Sequence, residues 1–155
     1  MRALVQRVSY GQVTVDNRRV ADIHQGLVVL LGVSPTDAPP DARALAEKVA
    51  NLRIFEDAAG KMNLSCLDLN GEIIVVSQFT LYADTRRGRR PSFTGAAKPE
   101  LAEPLCVLFA ESLRAMGLGV QTGVFGAHML VDLRNDGPVT ILLEQPEPER
   151  SSWNF

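Results

Sequence analysis

Only two cysteines occur in the 155 residues, Cys66 and Cys106. They are far apart and sit in no metal-ligand spacing, which excludes a disulfide framework and a zinc knuckle and fits two reduced thiols. Histidine is equally scarce. His24 and His128 are the whole supply, so a Ser-His or Cys-His nucleophile pair has few ways to form, and both imidazoles read as structural or surface groups. No long apolar run exists: the longest, Leu27 to Val33, is far short of the ~20 residues that a membrane span needs. The opening MRALVQRVSYGQVTV lacks the apolar core and cleavage site of a signal peptide, and cytosol is the expected compartment. The Asn63-Leu64-Ser65 sequon would then never meet a glycosylating enzyme. A Gly-x-Ser-x-Gly elbow, a Walker loop and His-Glu-x-x-His are missing, and Gly117, Gly119 and Gly123 fall one residue outside the dinucleotide fingerprint.

What is present describes an ordinary folded chain. Hydrophobic residues make up 46% and charged residues 22%, with a net charge of −2, which excludes disordered, collagen-like and coiled-coil classes. A chain of this size buries roughly 70% of its extended surface, enough for a core without staples. One domain over residues 1–144 is expected, with a loose tail over 145–155 carrying Pro146 and Pro148 among acids and serines.

Ala3 to Val8 and Gln12 to Val15, separated by Gly11, read as a hairpin-like pair, and Asp16-Asn17-Arg18 as a turn into Val20 to Ile23. Leu27 to Val33 and Glu72 to Gln78 read as strands buried on both faces. Pro39-Pro40-Asp41 opens a helix whose Ala42, Leu45, Ala46, Val49 and Leu52 share one face. Arg53 to Phe55 resembles a short strand and Asp57 to Gly60 a turn. A second helix carries Leu101, Leu105, Leu108, Phe109, Ser112 and Met116 on one side, starting or kinking at Pro104 and stopping at Gly117. Cys106 would pack there as a small hydrophobe. Val120 to Phe125, Met129 to Leu133 and Val139 to Leu143 complete the strands. The fold class is α/β, with mixed sheets and two main helices on one side.

Three segments carry possible chemistry. Asp84 to Lys98 holds Arg86, Arg87, Arg89, Arg90 and Lys98 against one acid, a concentrated basic loop that is either solvated or bound to a polyanion. Ser77-Gln78-Phe79-Thr80-Leu81 puts polar groups at the end of an apolar strand, where hydroxyls and backbone N–H groups could face a pocket or merely decorate the strand end. Asn135-Asp136-Gly137-Pro138-Val139-Thr140 is a turn signature with a Gly-Pro step, one of the bonds with appreciable cis population. Pattern alone gives no reaction.

At these residues the chain resembles the D-aminoacyl-tRNA deacylase (D-tyrosyl-tRNA deacylase) family. The matching segments are MRALVQRVSYGQVTVD, LRIFEDAAGKMNLS, VVSQFTLYADTRRGRRPSFTGAA and TGVFGAHMLVDLRNDGPVT, and with the connecting helices the likeness covers about residues 1–144. The resemblance implies β, β and α layers and a homodimer that hydrolyses the ester between a D-amino acid, or glycine, and the terminal adenosine of tRNA. It implies that Gly137-Pro138 is a cis dipeptide reaching from one subunit into the other's pocket, its carbonyls accepting hydrogen bonds from the substrate's α-amino group and thereby excluding L-substrates. Ser77, Gln78, Phe79 and Thr80 would form the opposite wall, with N–H groups of Phe79 and Thr80 for an oxyanion and the ribose 2′-hydroxyl as proton relay. No metal or organic cofactor is implied. Thr80 as nucleophile is the alternative, with no evident neighbour to activate it. Arg86, Arg87, Arg89 and Arg90 would contact phosphates of the RNA acceptor end. The competing classes are a dimeric nucleic-acid-binding module without hydrolysis and a general small-ester hydrolase.

Overall fold

The structure is a computed structural model that describes residues 1–146. Among these described residues eight strands and two α-helices follow in the order β1 (Arg2–Val15), β2 (Arg18–Ile23), β3 (Gly26–Gly32), α1 (Pro39–Asn51), β4 (Phe55–Glu56), β5 (Met62–Leu64), β6 (Glu72–Ser77), α2 (Pro99–Ala115), β7 (Gly119–Thr122) and β8 (Leu130–Glu144). The main sheet runs β2-β1-β3-β6-β7, with β8 on the other side of β1. β3, β6 and β7 are parallel to one another, while β1 is antiparallel to β2, β3 and β8. The two parallel steps are crossovers through α1 and α2, as parallel pairing requires.

β3 is buried along almost its whole length and β6 carries four consecutive buried residues, Ile73 to Val76, so both faces of the sheet are covered. Leu45, Ala46 and Val49 of α1 and Leu105, Phe109 and Leu113 of α2 pack on one face with Leu27, Val29 and Ile73. On the other face Val28, Ile74 and Val76 meet Val8, Val13, Ala21 and Ile23. The far halves of β1 and β2 therefore curl over the sheet as a second β layer. Gln121 closes the curl by bonding the Asp22 backbone twice, accepting from its N–H at 2.9 Å and donating to its carbonyl at 2.7 Å. This is the mixed-sheet architecture with both helices on one side that the sequence pattern predicts.

Several boundaries differ from the sequence expectation. Residues 2 to 15 form one bent strand rather than a hairpin. Gly11 serves close packing there, since a Cβ would stand 2.8 Å from Val28 Cγ2. The turn expected at Asp16-Asn17-Arg18 is where the sequence places it, with Asp16 and Asn17 both at positive φ. The short strand expected at Arg53 to Phe55 is Phe55–Glu56, and Val120 to Phe125 is shortened to Gly119–Thr122. Pro104 lies inside α2, neither starting nor ending it. Met129 to Leu133 and Val139 to Leu143 are one continuous strand, β8. Its pairing with β1 jumps from Gln6↔Thr140 to Val8↔Asn135, so residues 136–139 bulge out opposite Arg7 instead of turning the chain. Most of the expected loose tail lies outside the described residues; within it, the Gln145 N–H donates to the Met1 carbonyl at 2.9 Å.

Candidate active site

The C-terminal ends of β3 and β6 finish level, with Leu31 opposite Ser77. Ligands of α/β sheets collect outside such strand ends. The chain leaves the sheet at Gln78, whose N–H donates to Leu31 O at 2.7 Å, and winds into a 3₁₀ turn, Phe79–Tyr82. The first bond of this turn is Leu81 N–H to Gln78 O at 3.3 Å, so the N–H groups of Phe79 and Thr80 precede the turn's own hydrogen bonding. Gly32 makes room for the turn, because a Cβ there would stand 3.1 Å from Gln78 O and 3.2 Å from Tyr82 Cδ2.

A cavity of about 590 Å³ opens at this level. Ser77, Gln78 and Phe79 form one wall, the segment from Phe93 to Ala102 another, and Phe125 to Met129 with Val131 the third. A second cavity of about 330 Å³ shares Ser77, Cys106 and Phe125 with it and is lined also by Glu103 and Thr122. The lining is mostly apolar with a few polar groups at the sheet end, the usual make-up of a small-ligand site. Phe79 is 56% exposed and Phe93 39%. Their rings meet edge-on at 5.0 Å between centroids, leaving apolar surface open on the cavity side.

Thr80 does not line the cavity with the other three. Its hydroxyl is hydrogen-bonded by the Gln78 side-chain amide, a donor that cannot take up a proton, so this contact does not activate Thr80 as a nucleophile. Cys106 does line the cavity, but burial, with the Glu103 charge adding to it, pushes its thiol up to about 12; burial does the same to Cys66. Neither is a ready thiolate. Among the described residues no three His, Cys, Asp or Glu side chains gather as a metal-ligand set.

The four arginines sit on an exposed loop between paired residues Asp84 and Ser92, which exchange backbone hydrogen bonds at 2.8 and 2.9 Å. Arg86 grips Asp84 through Nε at 2.9 Å and a second nitrogen at 2.7 Å. That side-chain hydrogen bonding, helped by the Arg86 backbone N–H, holds the Asp84 carboxyl down at about 2. The loop's outgoing leg carries Phe93 into the cavity wall, so the basic loop rises from the rim of the site.

Gly137 and Pro138 do not line this cavity. Their peptide bond is cis, and they stand at the tip of the bulge opposite Arg7, whose β3 partner is Leu27 and whose next neighbour in β6 is Ile73. Ser77 lies four residues further along, roughly 13 Å at 3.3 Å per residue. One chain therefore does not bring the two segments together. The bulge is tightly held: Asn135 Oδ1 accepts from Val139 N–H at 2.6 Å, and its Nδ2 donates to Thr140 Oγ1 at 3.0 Å. Buried Arg7 donates to Asp136 O at 2.7 Å and to Ile54 O at 2.6 Å.

Sequence reasoning did not single out Arg7, Phe93, Phe125 or Met129, and it read His128 as structural or surface. His128 is on the cavity wall. All five lie within matched segments; the signal was there, but nothing local distinguished them from their neighbours.

The family model described as D-Tyr-tRNA(Tyr) deacylase matches residues 4–144. Among curated relatives, the D-aminoacyl-tRNA deacylase of Roseiflexus sp. (strain RS-1) is 62% identical over 144 residues, covering 93% of each chain. That of Thermomicrobium roseum is 61% identical over 147 residues, covering 95% of this chain and 96% of the relative. A solved structure of a c-Myc DNA Unwinding Element Binding Protein superposes with TM-score 0.88 at 43% identity, over 94% of this chain and 99% of that one. A probable eukaryotic D-amino acid tRNA deacylase superposes at 0.78 with 17% identity, over 92% and 97%, and shows the shared fold.

Because a raised thiol pKa favours the neutral form below it, Cys106 and Cys66 should resist alkylation. Iodoacetamide at pH 8, followed by mass spectrometry, should label both at least about a hundredfold more slowly in the native protein than in urea. Equal rates would contradict the burial of these thiols.

Proposed function

The chain belongs to the D-Tyr-tRNA(Tyr) deacylase family and hydrolyses the ester of D-aminoacyl-tRNA, releasing D-amino acid and tRNA, and we propose that it does so with backbone groups of two subunits rather than with a reactive side chain. The observation that carries this is the separation of the two matched segments: Ser77 to Phe79 line a cavity that the chain's own Gly137 and Pro138 do not reach.

In this reading the terminal aminoacyl-adenosine enters the cavity with its ester carbonyl at the N–H groups of Phe79 and Thr80. Water attacks the carbonyl carbon, the oxyanion is held by those N–H groups, and the ribose 2′-hydroxyl relays the proton to the departing 3′-oxygen. Orientation and oxyanion stabilisation suffice because the α-ammonium already makes the ester labile. Ser77 and Gln78 shape the wall on which the ester rests. The partner's Gly137 and Pro138 carbonyls accept hydrogen bonds from the α-ammonium. With ammonium and ester both fixed, an L-residue turns its side chain into main chain and is rejected. Glycine, without a side chain, passes the same test, so glycyl-tRNA is a substrate.

A homodimer supplies the second chain. Support comes from β8, which pairs only with β1 among the described residues and leaves a long edge with exposed Leu130 and Leu142, a feature that proteins cover. Arg86, Arg87, Arg89 and Arg90 contact acceptor-end phosphates and position the RNA without reading its sequence.

The experiment is hydrolysis of D-tyrosyl-tRNA beside L-tyrosyl-tRNA. The D-ester should be cleaved and the L-ester spared, with Thr80→Ala retaining substantial turnover; complete loss in a folded, RNA-binding Thr80→Ala protein would restore the nucleophile alternative. Retained RNA binding with no release from the native protein would favour the binding-module reading, for which the 43% identical DNA Unwinding Element Binding Protein is the precedent by name. Turnover of simple esters lacking ribose would favour a general esterase.

Replacing all four loop arginines by alanine should raise KM by about tenfold at moderate salt, leave kcat within a fewfold, and flatten the salt dependence of kcat/KM. An unchanged salt slope would remove the loop from RNA binding.

A further inference from the structure

The 3₁₀ turn Phe79–Tyr82 has no fully buried side chain to hold it. Its root is fixed by Gln78 N–H on Leu31 O, and at its far end Ala83 N–H donates to Thr80 O at 3.0 Å and Ser34 hydrogen-bonds the Tyr82 side chain, none of which holds the Leu81 carbonyl. Arg2 reaches that end. Its Nη1 donates to Leu81 O at 2.8 Å, a carbonyl at the end of the turn that has no partner further along a helix. Its guanidinium carbon lies 4.6 Å from the centre of the Tyr82 ring. Its Nε is fixed in turn by Glu144 at 2.6 Å, the residue directly opposite it in β8. On its other side Arg2 pairs with Gly32, over which the turn lies. One side chain thus ties β1, the end of β8 and the turn together from three directions.

We propose that Arg2 is a positioning residue for catalysis: it sets the pitch of the Phe79–Tyr82 turn, and so the aim of the Phe79 and Thr80 N–H groups, from outside the cavity. The inference rests on the reading of those N–H groups as the oxyanion donors. Donor aim matters steeply, since misplacement by about 1 Å costs up to a hundredfold in rate. Lysine keeps a cation over Tyr82 and one donor for Leu81 O, but cannot hold Glu144 at the same time with a rigid planar fork.

The test compares native protein, Arg2→Met and Arg2→Lys by steady-state kinetics on D-tyrosyl-tRNA and by hydrogen exchange read by mass spectrometry. In Arg2→Met, exchange should quicken in residues 79–83 while β3 and β6 stay as protected as before. Its kcat should fall about 10- to 100-fold with KM within about twofold, and Arg2→Lys should recover part of the loss. Unchanged exchange in the turn would overturn the proposal. So would faster exchange spread through β3 and β6, which would make Arg2 a general structural residue. Faster exchange confined to the turn with native kcat would instead overturn the reading of the turn as oxyanion donor, while leaving Arg2's hold on it intact.

Discussion

The parallel pairing of β3 with β6, buried on both faces, is the constraint on which the rest depends. It brings Leu31 and Ser77 to the same level, so that the sheet stops abruptly and a turn begins with its leading N–H groups in the open. Helices on one face and curled strands on the other leave no other direction for the chain to go. The cavity is the space beyond that edge, walled by the segment leading into α2 and by the approach to β8. Its chemistry is accordingly that of a strand end: polar main chain set in apolar walls. The thiol that reaches it is kept protonated, and the hydroxyl beside it is tied to an amide.

The second constraint is the bulge at residues 136–139. A ladder that skips four residues opposite one would ordinarily be loose, yet Asn135 and Arg7 bond its backbone from both sides. Arg7 is a buried cation whose Nε and Nη1 donate to carbonyls, an arrangement that is costly unless those acceptors stay in place. It therefore resists any shift of the bulge. A main-chain feature held this firmly, and standing clear of its own chain's cavity, is suited to meet a ligand held by another chain.

Much of this was legible in the sequence where local pattern suffices. The apolar runs of β3 and β6, the spacing of Ala42, Leu45, Ala46 and Val49, and the stop at Gly117 each carry their own signal. Long-range packing was not legible. Gly11 looks like a break because nothing local tells that Val28 presses against it. Asn135 to Thr140 looks like a turn because a bulge is defined by the partner strand, which lies more than a hundred residues earlier. The cavity draws on Leu31, Ser77, Phe93 and Met129, four segments that meet only after folding. The matched segments did identify both halves of the proposed site, but not the distance between them.

The claim of a site shared between subunits is tested most directly by mixing two defective proteins. Ala102→Trp fills the cavity, and Pro138→Trp overfills whatever space the bulge enters; each alone should be inactive on D-tyrosyl-tRNA. After co-refolding in equal amounts, the mixed dimer has one intact cavity facing one intact bulge, and about a quarter of native activity should return by random pairing. No recovery on mixing, or full activity of Pro138→Trp alone, would contradict the account.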